Sequence, residues 1–199
     1  MRVLDISDNK LFCDACRELA GIVSESDFKP DLIVAIATGG QVMLSEVQPL
    51  LDIASVTVRR QRMATTSKSR LKGLLAILPM WLKNALRLLE SFVRELLFEI
   101  KKRKICNSGI FDVGLSIPQV LLESGEITDI TNASKILIID DAVDSGGTLD
   151  DVYHFVLRIN PQAQIRSAVL TMTFKNPQIH PNYYLWQRVL LRFPWSLDS

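Results

Sequence analysis

The 199-residue chain is 48% hydrophobic, enough for one substantial core, and a single domain over residues 1–199 is the expectation. Its 23 lysines and arginines are nearly matched by 22 aspartates and glutamates, which excludes the global basic field of a non-specific nucleic-acid binder. The opening MRVLDISDNK lacks the apolar run of a signal peptide, and three cysteines are too few for a disulfide scaffold, so a reducing, cytoplasmic setting is expected.

From Ser7 onward Leu11, Phe12, Ala15, Cys16, Leu19, Ala20, Ile22 and Val23 recur at helical spacing, with Ser7 or Asp8 as the cap. Cys13 and Cys16 lie inside this pattern, and no second pair or histidine cluster completes a set of four ligands. They are expected to be buried helix cysteines and not half a zinc site. After Pro30, DLIVAIA is an apolar run of strand length, which TGGQ turns into a helical stretch, VMLSEVQPLL. IASVTV reads as the next strand and stops at a basic cluster of Arg59, Arg60, Arg62, Lys68, Arg70 and Lys72.

A long amphipathic helix follows, with its first turn at Pro79. Leu82, Ala85, Leu86, Leu89, Phe92, Val93, Leu96, Leu97 and Ile100 form one stripe, and the charged residues Lys83, Arg87, Glu90, Arg94, Glu95 and Glu99 lie opposite. The preceding apolar run, GLLAILPMWL, is too short to span a bilayer. KILIID and IRSAVLTMTF supply two more strands, with the helical GTLDDVYHFVLRIN between them. Strands alternating with helices, and apolar on both faces, predict an α/β fold with a mainly parallel sheet flanked by helices.

The most informative stretch is KILIIDDAVDSGGTLDD, residues 135–151. In an open parallel sheet, ligands sit beyond the carboxyl ends of the strands, and this strand delivers Asp140 and Asp141 to that edge. Ser145, Gly146, Gly147 and Thr148 then form a glycine turn into a helix, whose backbone N–H groups suit a phosphate. Carboxylates repel phosphate, but they accept hydrogen bonds from hydroxyls and ligate Mg²⁺, so the combination fits a sugar phosphate.

ILIIDDAVDSGGT resembles the signature of the type I phosphoribosyltransferases, which bind 5-phosphoribosyl-1-pyrophosphate (PRPP). The resemblance implies that Asp140 and Asp141 hold the ribose hydroxyls, directly or through Mg²⁺. It also implies that Ser145, Gly146, Gly147 and Thr148 hold the 5-phosphate and that Asp144 manages a proton near the base. VAIATGGQ is similar to the family's pyrophosphate loop, with Thr38 in place of the usual basic residue before Gly39 and Gly40.

The closest pattern is that of the bacterial xanthine-guanine and hypoxanthine enzymes. There a lysine after a strand reads the purine 6-oxygen, as Lys175 would, and a final strand ends in Pro-Trp, as in FPWSLD. Where those enzymes stack an aromatic residue on the base, the nearest positions counting back from Pro194 are Leu190 and Leu191, so stacking is expected to be aliphatic or shifted to other residues.

The expected activity is transfer of the phosphoribosyl group from PRPP to an oxopurine, releasing pyrophosphate. The alternative is a non-catalytic regulatory protein that binds PRPP or a nucleoside monophosphate on the same fold, because fold and ligand site do not guarantee chemistry. Residues of about 60–107 stand outside the family pattern as a helical insertion where members carry a lid, and TTSKSR could supply Lys68 or Arg70 to such a lid. The insertion's apolar stripe is expected to pack on the domain or across a homo-oligomer interface. Peripheral contact with an anionic membrane and binding of nucleic acid or another protein are the lesser alternatives.

Overall fold

The computed structural model describes residues 1–61, 79–108 and 120–196. A six-stranded sheet forms its centre, built from β2 (Leu32–Ile36), β3 (Ala54–Arg60), β4 (Val120–Ser124), β5 (Lys135–Val143), β6 (Gln164–Met172) and β7 (Tyr183–Gln187). The strand order is β4-β3-β2-β5-β6-β7, parallel throughout except for the antiparallel edge strand β4. A separate two-stranded parallel sheet pairs β1 (Arg2–Asp5) with β8 (Val189–Arg192).

The helices are α1 (Asn9–Glu25), α2 (Gly39–Leu51), α3 (Met80–Ser108), α4 (Ile127–Asn132) and α5 (Gly147–Ile159). Asp8 caps α1, its Oδ1 accepting from Lys10 N at 2.8 Å and Leu11 N at 3.2 Å, a contribution of about 1 kcal/mol. Helix α3 starts where Pro79 fits, with the Leu82 amide donating to Pro79 O at 3.0 Å.

Because successive strand residues face opposite ways, each central strand serves two cores. On one face Ile33, Ala35, Leu137, Ile139 and Leu170 pack with Phe12, Cys16, Leu19 and Val23 of α1 and Met43 of α2. On the other, Leu32, Val34, Ile36, Ile136 and Ile138 pack with Leu149, Val152 and Val156 of α5. Burying such side chains fully is worth roughly 1.5–3 kcal/mol each. Cys16 belongs to this core, and burial pushes its thiol up to about 12; Cys13 is half-buried, its thiol also raised, chiefly by burial.

Helix α3 does not turn its apolar stripe onto the domain, one of the two packings expected for it. Its polar side packs on the domain and its apolar stripe faces out. Ser91 is buried, the Asn84 Oδ1 accepts from Arg192 Nη2 at 3.1 Å, and Glu95 Oε2 accepts from Arg188 Nη1 at 2.6 Å. Leu86, Leu89, Phe92, Val93, Leu96, Leu97 and Ile100 are exposed. Among the described residues no helix is long and apolar enough to cross a membrane.

Candidate functional site

The carboxyl ends of β2, β3 and β5 open onto one cavity of about 620 Å³. Strand β2 delivers Ala37, Thr38 and Gly39, β3 delivers Arg60, and β5 delivers Asp140 to Val143, followed by Asp144 and the loop Ser145 to Thr148. All of these residues line the cavity, so Thr38, Gly39, the loop Ser145 to Thr148 and all three predicted acids meet in one place, while Gly40 is buried and does not line it.

Two helices begin at this cavity. The first-turn amides of an α-helix have no intrahelical acceptor, and the helix dipole adds partial positive charge there. Helix α2 begins at Gly39 beside the end of β2, and α5 begins at Gly147 just after β5. Anion-seeking backbone therefore flanks the acidic strand end on two sides.

The glycines are required by close approach. A Cβ on Gly39 would lie 2.1 Å from Asp141 Cγ, and one on Gly40 would lie 2.4 Å from Ile139 O. Gly146 has φ +84°, a left-handed conformation, and a Cβ there would meet Ile179 N at 2.9 Å. The Gln178 amide donates to Ser145 O at 2.7 Å, and Gln178 Nε2 donates to Asp150 Oδ2 at 2.6 Å, so the 176–179 segment braces the glycine loop.

Asp140 is buried, and its Oδ1 accepts from the Asp141 amide at 2.9 Å. Burial against α2 pushes the Asp141 carboxyl above its ordinary value, with hydrogen bonding to Asp140 pulling the other way. Asp144 is more open. Its Oδ1 accepts from the Thr173 hydroxyl, and its Oδ2 faces Arg94 Nη1 of α3 at 3.5 Å.

Five charged or aromatic cavity residues were not among the predicted site residues: Arg60, Arg94, Phe98, Phe174 and Trp195. Arg60 pairs with Asp151 (Nε to Oδ2, 2.5 Å) and lies 3.4 Å from Thr148 Oγ1, placing a cation beside the glycine loop. Burial raises the Asp151 carboxyl, and Arg60 opposes that rise. Phe98 of α3 meets Phe174 with ring centroids 5.8 Å apart. Trp195 stacks on Phe193 at 4.8 Å and meets Phe12 edge-on at 5.2 Å. A strand pattern extended two residues past Val58 reaches Arg60 at the same sheet edge; Arg94 and Phe98 have no comparable signal.

The three predicted base contacts are not brought to this cavity. Lys175 lines a separate depression of about 250 Å³ with Phe92, Glu95, Leu96, Glu99, Arg103 and Asn176, and its amide donates to Glu95 Oε1 at 2.7 Å. Leu190 and Leu191 lie on β8, which leaves the central sheet to pair with β1; Leu191 is buried in the core around α1. The aromatic rings that line the cavity are those of Phe98, Phe174 and Trp195. Lys68 and Arg70, the predicted lid residues, lie outside the described residues, and among those described no cluster of three or more His, Cys, Asp or Glu side chains is placed to hold a metal ion.

A family model of the phosphoribosyl transferase domain matches residues 2–197, and the chain belongs to that family. Solved structures agree in fold. A purine phosphoribosyltransferase from Pyrococcus horikoshii superposes with TM-score 0.60 at 18% identity, covering 98% of this chain and 95% of that one. A xanthine-guanine-hypoxanthine phosphoribosyltransferase from Helicobacter pylori gives TM-score 0.55 at 13% identity, covering 92% and 88%. A Neisseria gonorrhoeae protein crystallised with bound ppGpp gives TM-score 0.53 at 14% identity, covering 98% and 90%. A search of curated proteins finds no match.

Proposed function

We propose that this member of the phosphoribosyl transferase family binds PRPP in the cavity and transfers its phosphoribosyl group to a nucleobase, an oxopurine by preference. The observation that carries the reading is the convergence of two helix N-termini on three carboxylates in one cavity. The α5 end, with Thr148 and Arg60 beside it, suits the 5-phosphate, and the α2 end suits the pyrophosphate. Asp140 and Asp141 suit the ribose hydroxyls between them.

In the reaction a base nitrogen forms a bond to the ribose anomeric carbon as the bond from that carbon to pyrophosphate breaks. Holding both reactants in line supplies much of the rate. Asp144, one of whose oxygens the Thr173 hydroxyl fixes, suits the role of taking the proton that the base gives up. Phe98, Phe174 and Trp195 offer the base an aromatic wall. Two adjacent carboxylates, Asp140 and Asp141, suit a Mg²⁺ ion, which takes one or two protein carboxylates and completes its shell with substrate phosphates and water. When bound, that ion would neutralise charge on the leaving pyrophosphate.

One contact favours the non-catalytic reading. Arg94 Nη1 faces Asp144 Oδ2 at 3.5 Å while the Thr173 hydroxyl donates to Oδ1, so both oxygens of this carboxylate already have partners. Calorimetry with PRPP and Mg²⁺, followed by pyrophosphate release with hypoxanthine, guanine or xanthine, separates the two. Turnover is expected, reduced about 10²–10⁴-fold in Asp144→Asn, as for loss of a general base. PRPP binding without turnover on any base leaves only the regulatory reading; no binding of PRPP or of a nucleoside monophosphate removes both.

A further inference from the structure

Among the described residues, the largest run of exposed apolar side chains lies on α3, on the side away from the cavity. Leu86, Leu89, Phe92, Val93, Leu96, Leu97 and Ile100 are each between 40% and 60% exposed. A helix that turned this face inward would need nothing more, but α3 spends its inward side on Asn84, Ser91, Glu95 and Phe98. The stripe is left to meet something else.

Its spacing says what. Leu82, Leu86, Leu89, Val93, Leu96 and Ile100 follow one another at alternating intervals of four and three residues, the repeat of a coiled-coil seam. In that register Leu86, Val93 and Ile100 take the a positions, and Leu82, Leu89 and Leu96 take d. Leucine at every d with β-branched residues at two of three a positions is the combination that favours two parallel strands. We propose that α3 joins two copies of this chain as a short parallel coiled coil.

The flanks agree with that pairing. In a parallel pair a g residue meets the e residue five positions on in the second copy, which sets Phe92 against the second copy's Leu97 and widens the apolar contact. An antiparallel pair brings Glu90 beside the second copy's Glu90, and like charges there oppose it. The seven half-exposed side chains offer roughly 600 Å² on each copy, close to the ~800 Å² per partner of a standard stable interface. A lipid surface asks only for a broad apolar face and selects neither the four-three spacing nor the choice of leucine at d.

Sedimentation of the full chain at micromolar concentration is expected to give a dimer, and Val93→Glu with Leu96→Glu a monomer with unchanged far-UV circular dichroism, since both side chains point outward. Under mild oxidation Leu82→Cys is expected to form a disulfide-linked dimer beyond the background of the unaltered chain, because a d residue faces itself in a parallel pair. A wild-type monomer at all concentrations would overturn the proposal, as would a dimer that survives the double substitution. Cross-linking of Leu82→Cys only when mixed with Ile100→Cys would replace the parallel pair with an antiparallel one. A monomer that co-sediments with phosphatidylserine vesicles, and loses this with Val93→Glu, would assign the face to lipid instead.

Discussion

Gly40→Ala tests the closeness of α2 to β5, on which the pyrophosphate end of the site depends. The added Cβ would lie 2.4 Å from Ile139 O and 3.1 Å from Ile139 C. An ordinary contact needs about 3.5 Å, so helix and strand must part by about 1 Å. The obstacle is backbone in the middle of the sheet, which cannot rotate away as a side chain can. Overpacking of this kind costs about 1–3 kcal/mol, and in exchange alanine regains at most about 1 kcal/mol of helix propensity. A net loss of about 1–2 kcal/mol is expected, which in a chain of this size lowers the melting temperature by roughly 2–8 °C. Gly21→Ala is the control: in α1 a Cβ there meets nothing within 4 Å, so the same substitution is expected to stabilise by about 0.5–1 kcal/mol. Urea unfolding of the three proteins reads both signs. If Gly40→Ala unfolds at the same or higher urea than the wild type while Gly21→Ala is stabilised, the close approach of α2 to β5 is refuted.

Glu95 is expected to carry acid sensitivity. Burial alone would raise its carboxyl, but hydrogen bonds from Arg188 and the Lys175 amide hold it below the ordinary 4.5. A carboxyl depressed in the folded state stabilises above its unfolded value, and that contribution disappears as pH falls below about 4.5. Stability measured from pH 6 to pH 3 should therefore fall more steeply in the wild type than in Glu95→Gln, and parallel curves would count against the pairing. Asn160→Ala should cost about 1–3 kcal/mol in urea unfolding, because Asn160 Nδ2 donates to Ile130 O at 3.0 Å, Thr131 O at 3.2 Å and Ala133 O at 2.7 Å, tying α4 to the end of α5. A loss below about 0.3 kcal/mol would show that water replaces the amide without penalty.

The parts of the fold that the sequence made legible are those where one local rule dominates. LIVAI and KILII are buried on both faces, so they read as unbroken apolar runs, and the two glycine loops sit at fixed distances behind them. What stayed hidden was set by long-range pairing. Strand β8 was anticipated, but its partner is β1, a four-residue strand too short to stand out, and that pairing turns Leu191 into the core around α1. Trp195, three residues past β8, reaches the cavity instead. For α3, periodicity defined a face without saying which way it points. Direction was decided by Glu95 and Asn84, whose partners Arg188 and Arg192 lie about a hundred residues further on.

The two faces of α3 bear unequally on its position. Toward the domain it is held by hydrogen bonds and ion pairs, each worth about 0.5–1.5 kcal/mol net, and the Arg94 to Asp144 pair is more than a third exposed on both sides, which places it near zero. The hydrophobic term, normally the larger, lies on the outward stripe. A helix anchored this way sits less firmly than one with its apolar face in the core, and it is the element that brings Arg94 and Phe98 to the cavity. Covering the stripe with a second copy would fix the helix from its other side. Any ligand that needs α3 in this position would then tighten the pair, and the pair would tighten the ligand by the same factor, because coupling between two binding equilibria is reciprocal.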